Sequence, residues 1–170
     1  MNAITIRTLQ TDDVEALLAF EVQNREWFER HIDARGSDFY SLHGIRAHIA
    51  AYLSGFAAGT WHPFVIEDPQ GKIIGRANLK DIDRAGFRAE VGYRIAEDAC
   101  GQGLATRALE HLIGVARSQW KLRQLLASVY ASNLGSARVL ERCGFLIEAL
   151  DREGGNLHDY RFDLVPQRAE

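Results

Sequence analysis

The hydrophobic and polar residues of the chain change their period several times, and each change predicts a new element. Apolar and polar residues alternate at 3–8 and at 87–95, which is typical of strands with one buried face. Between 42 and 57 the apolar residues recur every three or four positions, which predicts an amphipathic helix. A second such helix follows the glycines of residues 101–103 and runs to about Trp120. Its solvent side is expected to carry Arg107, Glu110, His111 and Arg117.

A further helix is expected near the start of the chain. Thr11 is followed by two aspartates, and a hydroxyl cap with early acidic residues suits the N-terminal end of a helix. This helix is expected to carry Val14, Leu17 and Leu18 towards the core. Residues 21–40, which are rich in aromatic side chains, are expected to be irregular.

Shorter patterns predict the elements between and after these helices. An apolar run at 64–66 and a strand at about 72–79 flank an Asp-Pro-Gln-Gly turn, which predicts a β-hairpin. A strand at 122–130 precedes a short helix that Asn133 caps and Gly144 ends.

Two closing strands are expected at about 145–151 and 159–165, on either side of a turn at Gly154-Gly155-Asn156. The full order β-α-α-β-β-β-α-β-α-β-β predicts a mixed α/β sheet with helices on both faces. The chain contains no repeat, low-complexity tract or Pro/Ser-rich linker, so residues 1–170 are expected to form a single domain.

Composition and charge exclude several classes of protein. The 46% of hydrophobic residues and the 25% of charged residues are typical of globular domains. The net charge is −3 and the basic residues are scattered, so no nucleic-acid partner is expected. No apolar run approaches the ~20 residues of a membrane span. The start of the chain lacks a signal-peptide pattern, so we expect no membrane partner and a cytoplasmic location.

The residues that usually bind metal ions show no suitable spacing. Cys100 and Cys143 form no CxxC pair, and the six histidines form no HExxH or HxH pattern. No metal site and no disulfide framework are therefore expected.

The segment 95–109 combines a strand, a glycine turn and an amphipathic helix. The first turn of a helix leaves about four backbone N–H groups without partners, and these carry a partial positive charge. Gly101, Gly103 and the small Ala105 let the main chain approach a bulky anion. This pattern predicts a backbone site for a pyrophosphate.

Three ligand classes fit a glycine turn of this kind. A Walker-type loop requires a lysine that the turn lacks. A dinucleotide site requires a third glycine where Thr106 stands, and an acidic residue after a strand that ends Val129-Tyr130-Ala131. Coenzyme A requires only the backbone donors and a route for its pantetheine arm. Glycine spacing alone also leaves open a tight turn with no ligand.

A wider set of residues resembles a known family. The run Gly101–Thr106, the preceding Glu-Val-Gly-Tyr-Arg-Ile and the later segment 133–145 resemble the GCN5-related N-acetyltransferase (GNAT) superfamily. Residues 24–28 and the helix 42–57 are similar to its branch of ribosomal-protein N-terminal acetyltransferases. The resemblance implies an acyl-CoA N-acyltransferase fold with a mostly antiparallel central sheet. It also implies acetyl-CoA as co-substrate, without a metal ion.

The resemblance assigns a cofactor-binding set, in which main-chain N–H groups near the end of strand 87–95 face the thioester carbonyl. This set comprises Tyr93, Arg94, Ile95, Gly101, Gln102, Gly103, Leu104, Ala105, Thr106, Asn133 and Arg138. The family's usual Arg or Gln at the head of the turn falls on Cys100, which removes a polar phosphate contact and leaves the backbone donors.

Two residues are candidates for proton transfer. Glu90, on the polar side of strand 87–95, is the expected general base, and a solvated strand-face glutamate is the alternative. Many relatives protonate the leaving thiolate with a tyrosine, and that position falls on Leu140. The resemblance to the ribosomal branch assigns this acid role to Ser136 instead.

The acceptor is the least determined part of the prediction. Trp27, Phe28 and Tyr40 are candidates for the wall of an acceptor groove, or alternatively form a small aromatic core. The leading hypothesis is acetylation of a protein or peptide α-amine, such as that of a ribosomal protein. The alternatives are a small amine (antibiotic, polyamine or amino acid) as acceptor, and a catalytically silent acyl-CoA-binding module. The chain is expected to be a monomer or a homodimer.

Overall fold

The computed structural model describes residues 3–150, 154 and 156–164. In these residues a seven-stranded sheet forms the centre of the molecule, with the strand order β1-β2-β3-β4-β5-β7-β6. The strands are β1 (Thr5–Thr8), β2 (His62–Glu67), β3 (Ile73–Asp83), β4 (Arg88–Ile95), β5 (Gln124–Tyr130), β6 (Leu146–Ala149) and β7 (Leu157–Asp163). The helices are α1 (Val14–Gln23), α2 (Arg25–Glu29), α3 (Leu42–Ala58), α4 (Leu104–Ser118) and α5 (Leu134–Arg142).

The sheet is mixed and mostly antiparallel, which confirms the expected fold class. Strands β1 to β4 form consecutive antiparallel pairs. Strand β4 pairs with β5 in parallel, because α4 returns the chain across the sheet between them. Strand β7 pairs antiparallel with both β5 and β6. None of the described helices is long and apolar enough to cross a membrane.

Helices cover both faces of the sheet, as side-chain alternation along β3 makes clear. Arg76 projects to one face, where it contacts Glu21 of α1 and His48 of α3. The next residue, Ala77, projects to the opposite face, as does its partner Phe64, which contacts His111 of α4. The hydrophobic core therefore lies in two layers, with α1 and α3 on one side and α4 and α5 on the other.

Helix α4 is amphipathic, as its pattern predicts. Its buried residues are Leu104, Ala108, Leu109, Leu112, Ile113 and Ala116. The prediction that His111 lies on the solvent side is wrong, because α4 packs its flank against the sheet as well. The His111 ring lies edge-on to Phe64 with the ring centroids 4.7 Å apart, and burial lowers its pKa.

The prediction of an irregular segment at 21–40 is wrong for nearly its first half, residues 21–29. Helix α1 continues to Gln23, and α2 follows after Asn24. The Asn24 amide nitrogen donates to the carbonyl of Phe20 at 2.9 Å, and its amide oxygen accepts from the backbone N–H of Glu97 at 3.0 Å. This buried asparagine therefore joins the two helices to the loop after β4, a tertiary contact that no local pattern predicts.

The end of the chain is described only in part. Strands β6 and β7 occupy most of the two closing strands that were expected, whereas residues 151 and 165 lie outside the described residues. Gly155 of the expected turn also lies outside them. The flanking Gly154 and Asn156 have φ angles of 69° and 56°, which are left-handed values typical of turns.

Candidate active site

Strands β4 and β5 diverge, and this divergence opens a large cavity. The two strands pair only at three rungs, from Arg88 with Gln124 to Glu90 with Leu126. Beyond Glu90 the strands separate, although β4 continues to Ile95. A cavity of about 1050 Å³ lies between them and is lined by residues 91–95 of β4 and 127–130 of β5. The edge of β4 that faces β5 therefore presents main-chain groups to the cavity.

The glycine turn forms one end of this cavity. Gly101 and Gly103 have φ angles of 77° and 76°, which are strained for any residue with a Cβ atom. Gly103 is the N-cap residue of α4 and provides no side-chain cap, so the first N–H groups of the helix remain available. Gly101, Gly103 and residues 104–106 all line the cavity. The arrangement suits an anion at the helix N-terminus.

The opposite wall is formed by the start of α5. The Asn133 side chain accepts a hydrogen bond from the backbone N–H of Ser136 at 3.2 Å and so caps the helix. The Tyr93 hydroxyl donates to the carbonyl of Ser136 at 3.4 Å. Burial raises the pKa of Tyr93 to about 12, so its phenol is neutral at physiological pH. Tyr93, Asn133 and Ser136 all line the cavity.

A buried charge cluster lies on the face of the sheet that α1 and α3 cover. Glu21 is 1% exposed, and its two carboxylate oxygens accept hydrogen bonds from different arginines. Arg76 Nη1 lies 2.7 Å from one oxygen and Arg94 Nη1 lies 3.1 Å from the other. Arg76, Arg94 and the nearby Arg35 line the cavity. We call Arg35, Arg76 and Arg94 the arginine cluster.

His48 closes this cluster as a neutral group. Its Nε2 atom lies 2.8 Å from Arg76 Nη2, and because guanidinium groups only donate, the imidazole nitrogen accepts. Burial and the charge of Arg76 lower the pKa of His48 to about 2. His48 therefore adds a hydrogen-bond acceptor but no charge.

Glu90 lies where β4 and β5 separate. Its carboxylate pairs with Lys80 at 3.3 Å, and both side chains are about one-third exposed. The two residues are register partners on the same face of the sheet as Arg76 and Arg94, four residues away along each strand. Glu90 is not part of the cavity wall, but its ion-pair partner Lys80 and the next residue, Val91, both line the cavity.

Two of the three aromatic candidates for the acceptor groove line the cavity. Trp27 Nε1 donates to the carbonyl of Ile95 at 3.3 Å, which fixes the indole ring against the end of β4. Phe28 is buried, and the Arg94 guanidinium lies 4.9 Å from its ring centroid. Tyr40 instead lies outside the cavity wall, where Arg25 stacks on its ring at 4.2 Å.

Three further residues lie at the edge of the predicted cofactor site. Gln102 faces a smaller cavity of about 540 Å³, together with Lys72 and Arg107. Arg138 lies on the exposed side of α5. The Cys100 thiol donates to the carbonyl of Ala96 at 3.3 Å, and burial followed by the charge of Glu97 raises its pKa, so it stays a thiol.

Sequence reasoning missed most of the residues in and beside the cavity on the side of the arginine cluster. These are Glu21, Arg35, Arg76, Asn78, Lys80 and Trp61, of which all but Glu21 line the cavity. A signal was present, since Glu21 and Arg76 stand in otherwise apolar segments. A charged residue on a buried face requires a partner, but the sequence does not say which one.

Comparisons with known proteins identify a family. The model of the acetyltransferase (GNAT) domain matches residues 3–146. A probable N-acetyltransferase of Bacillus subtilis, YjcK, is 31% identical over 154 residues, covering 89% of this chain and 85% of the relative. The putative ribosomal N-acetyltransferase YdaF of the same organism is 30% identical over 168 residues, covering 95% and 88%.

Solved structures share the fold. The ribosomal L7/L12 α-N-protein acetyltransferase RimL, in complex with coenzyme A, superposes with a TM-score of 0.83 at 20% identity. The match covers 96% of this chain and 95% of that chain.

Proposed function

The chain belongs to the GNAT family of acetyltransferases, and on that basis we propose that it transfers the acetyl group of acetyl-CoA to the α-amine of a protein or peptide. A ribosomal protein is the proposed acceptor, because YdaF and RimL carry ribosomal names. Such an acceptor would place the enzyme in the cytoplasm. The observation that carries the proposal is the separation of β4 from β5 beside the uncapped N-terminus of α4.

The residues present fit acetyl-CoA as co-substrate. Backbone N–H groups from Gly101 to Thr106 would bind the pyrophosphate, since the helix N-terminus favours negative charge. The gap between β4 and β5 would hold the acyl arm, with the main chain of residues 93–95 beside the thioester. A backbone N–H there would stabilise the oxygen that gains negative charge during transfer. Asn133 would hydrogen-bond the pantetheine amides.

Glu90 is the proposed general base, acting directly or through a water molecule. An α-amine with a pKa near 7.8 is about one-seventh neutral at pH 7, whereas a lysine with a pKa near 10.4 is neutral in about one molecule of 2,500. An α-amine therefore demands much less of the base. The partial exposure of Glu90, beside the cavity-lining Lys80, would leave it accessible to an acceptor amine.

Ser136 is the proposed acid that protonates the leaving thiolate. Leu140, at the position where many relatives have a tyrosine, is 1% exposed and has no proton to donate. Ser136 lines the cavity in the first turn of α5. Its backbone N–H donates to the Asn133 side chain, and its carbonyl accepts from the Tyr93 hydroxyl. The position of Ser136 therefore depends on the cap of α5 and on β4.

An acceptor panel tests the proposed function. Purified protein would be incubated with acetyl-CoA and three sets of amines: peptides with a free N-terminus, N-terminally blocked peptides containing lysine, and small amines such as polyamines. We expect thiol release with the first set, and mass spectrometry should place the acetyl group on the first residue. Turnover confined to lysine or small amines would contradict the proposal. Coenzyme binding by calorimetry without any turnover would instead support a silent binding module.

A further inference from the structure

The part of the cavity wall that the arginine cluster forms carries more positive than negative charge. The arginine cluster contributes three guanidinium groups, and among the described residues the carboxylate paired with it is that of Glu21. His48 is neutral, and Lys80 is already paired with Glu90. Burial, together with the charges of Arg76 and Arg35, lowers the pKa of Arg94 to about 10 although Glu21 opposes the shift. The single glutamate therefore does not neutralise the cluster.

Within the part of the chain that the structure describes, these arginines have hydrogen-bond donors that no protein group uses. Arg76 is 2% exposed, and its buried Nε atom has no hydrogen-bond partner among those residues. Arg94 uses only Nη1 in its hydrogen bond to Glu21, and its side chain is 20% exposed towards the cavity that it lines. Unpaired donors of buried charged groups are costly, so a ligand that accepts from them binds favourably.

We propose, on the basis of the peptide-acceptor function above, that the arginine cluster binds a carboxylate of the acceptor close to the amine that is acetylated. The planar guanidinium group matches a carboxylate in shape and charge. In a peptide this group is the side chain of an Asp or Glu near the N-terminus.

The register of β3 and β4 sets the distance between amine and carboxylate. Lys80 with Glu90 and Arg76 with Arg94 are rungs of the same face, separated by the rung of Asn78 with Gly92. At about 3.3 Å per residue, Glu90 and Arg94 lie roughly 13 Å apart along the strand. An amine next to Glu90 and a carboxylate at Arg94 therefore leave room for two or three extended residues. The acidic residue is expected within the first three positions of the acceptor.

The test compares acceptors that differ only in one carboxylate. Peptides amidated at the C-terminus would carry Glu, Gln or Lys at the second or third position, and free amino acids would be compared with their amides as the other source of a carboxylate. We expect the carboxylate to raise kcat/KM by roughly 10- to 100-fold, as for other hydrogen bonds to charged groups. Equal rates with and without the carboxylate, for the peptides and also for the free amino acids, would overturn the inference and leave the proposed function standing.

Variants assign the preference to the cluster. Arg94→Gln and Arg35→Gln should lower kcat/KM for the acidic acceptor much more than for the neutral one. Arg35 stacks on Phe39 at 4.3 Å and makes no hydrogen bond to Glu21, so its variant serves if Arg94→Gln does not fold. Arg46→Gln, on the exposed side of α3, is the matched control and should retain the preference. An equal loss on both acceptors in both cavity variants would mean that the arginines only support the fold.

A binding measurement tests the carboxylate site independently of acetyl transfer. An N-terminally acetylated acidic peptide cannot react, but it should bind the wild-type protein in calorimetry more tightly than its Gln counterpart. The difference should disappear in Arg35→Gln. If no amine of any kind is acetylated but the wild-type protein still binds the acidic peptide more tightly than the Gln peptide, the proposed function fails and the carboxylate site stands.

Discussion

At the scale of single residues, the side chains of the cavity act through partners that are distant in sequence. Glu21 binds Arg76, 55 residues later, and Tyr93 reaches the carbonyl of Ser136, 43 residues later. These contacts place polar groups against a largely apolar interior, where each needs a partner. Glu90 differs because its partner Lys80 is on the adjacent strand and both are partly exposed. It therefore stands apart from the buried charges and can be replaced without leaving one of them unpaired.

Replacing Glu90 tests its role as base. Glu90→Gln keeps the shape of the side chain but removes its ability to take a proton, so kcat for a peptide acceptor should fall by about 100-fold or more. Stability should change by less than about 1 kcal/mol, since the pair with Lys80 is partly exposed. Steady-state thiol release and urea unfolding would measure the two effects.

The control for this variant is Glu148→Gln. Glu148 also forms an ion pair between adjacent strands, with Arg161 at 3.1 Å, but it does not line the cavity. The Glu148→Gln variant should therefore have the kcat of the wild-type protein. Activity of Glu90→Gln equal to that of the control would assign Glu90 the alternative role of a solvated strand residue.

At the scale of elements, the start of α4 depends on backbone conformation rather than on space. A Cβ atom built at Gly103 meets no other atom within 4 Å, yet its φ angle of 76° is unfavourable for any L-residue with a side chain. The residues that follow this turn, 104–106, begin α4 and line the cavity. Gly114, in the middle of the same helix, has equally free space around it and no positive φ angle.

These two glycines make a matched pair of substitutions. Gly103→Ala should lower the free energy of unfolding by about 1–2 kcal/mol and raise KM for acetyl-CoA, because the turn must relax. Gly114→Ala should instead raise the free energy of unfolding by about 0.5–1 kcal/mol, because alanine is the better helix former. Urea unfolding and acetyl-CoA titrations would measure both changes. A Gly103→Ala protein with unchanged stability and KM would show that the left-handed turn is dispensable.

At the scale of the whole molecule, His62 joins three parts of the fold. Its Nδ1 atom accepts from Trp120 Nε1 at 2.9 Å, just after α4, so its Nε2 atom carries the proton and donates to the Thr8 hydroxyl of β1 at 3.0 Å. The ring stacks on Phe64, and burial, followed by the proximity of His111, lowers its pKa from 6.5 to about 4. Protonation would break the hydrogen bond from Trp120.

This arrangement predicts acid sensitivity of the fold. Because the folded-state pKa of His62 lies below the unfolded value, its contribution is fully present above pH 6.5 and is lost as the pH falls towards 4. The shift corresponds to a loss on the order of 3 kcal/mol. Urea unfolding followed by tryptophan fluorescence, from neutral pH down to about pH 4, would measure this loss.

Two variants identify His62 as the source of this sensitivity. His62→Phe should be less stable at neutral pH, since Thr8 and Trp120 lose their partner, but its stability should fall less steeply with acid. His43→Gln, at an exposed position of α3, should retain the wild-type slope. An unchanged slope in His62→Phe would assign the acid sensitivity to other groups.

The sequence by itself was enough for features that depend on neighbours a few positions apart. The amphipathic pattern predicted α4, the glycines predicted the turn before it, and Asn133 was recognised as a helix cap. The family resemblance was also readable, because its motifs are short segments of chain. Each of these rests on local periodicity or local hydrogen bonding.

Only the tertiary structure decided where β4 and β5 separate and which charges meet beside that gap. The helical course of residues 21–29 depends on the contact of Asn24 with the loop after β4, and the arginine cluster depends on the register of β3 with β4. Such pairings join residues tens of positions apart, and a shift of one residue would move every side chain to the other face. Burial then makes the pairing of Glu21 with two arginines necessary, whereas the amino-acid order alone leaves its partners open.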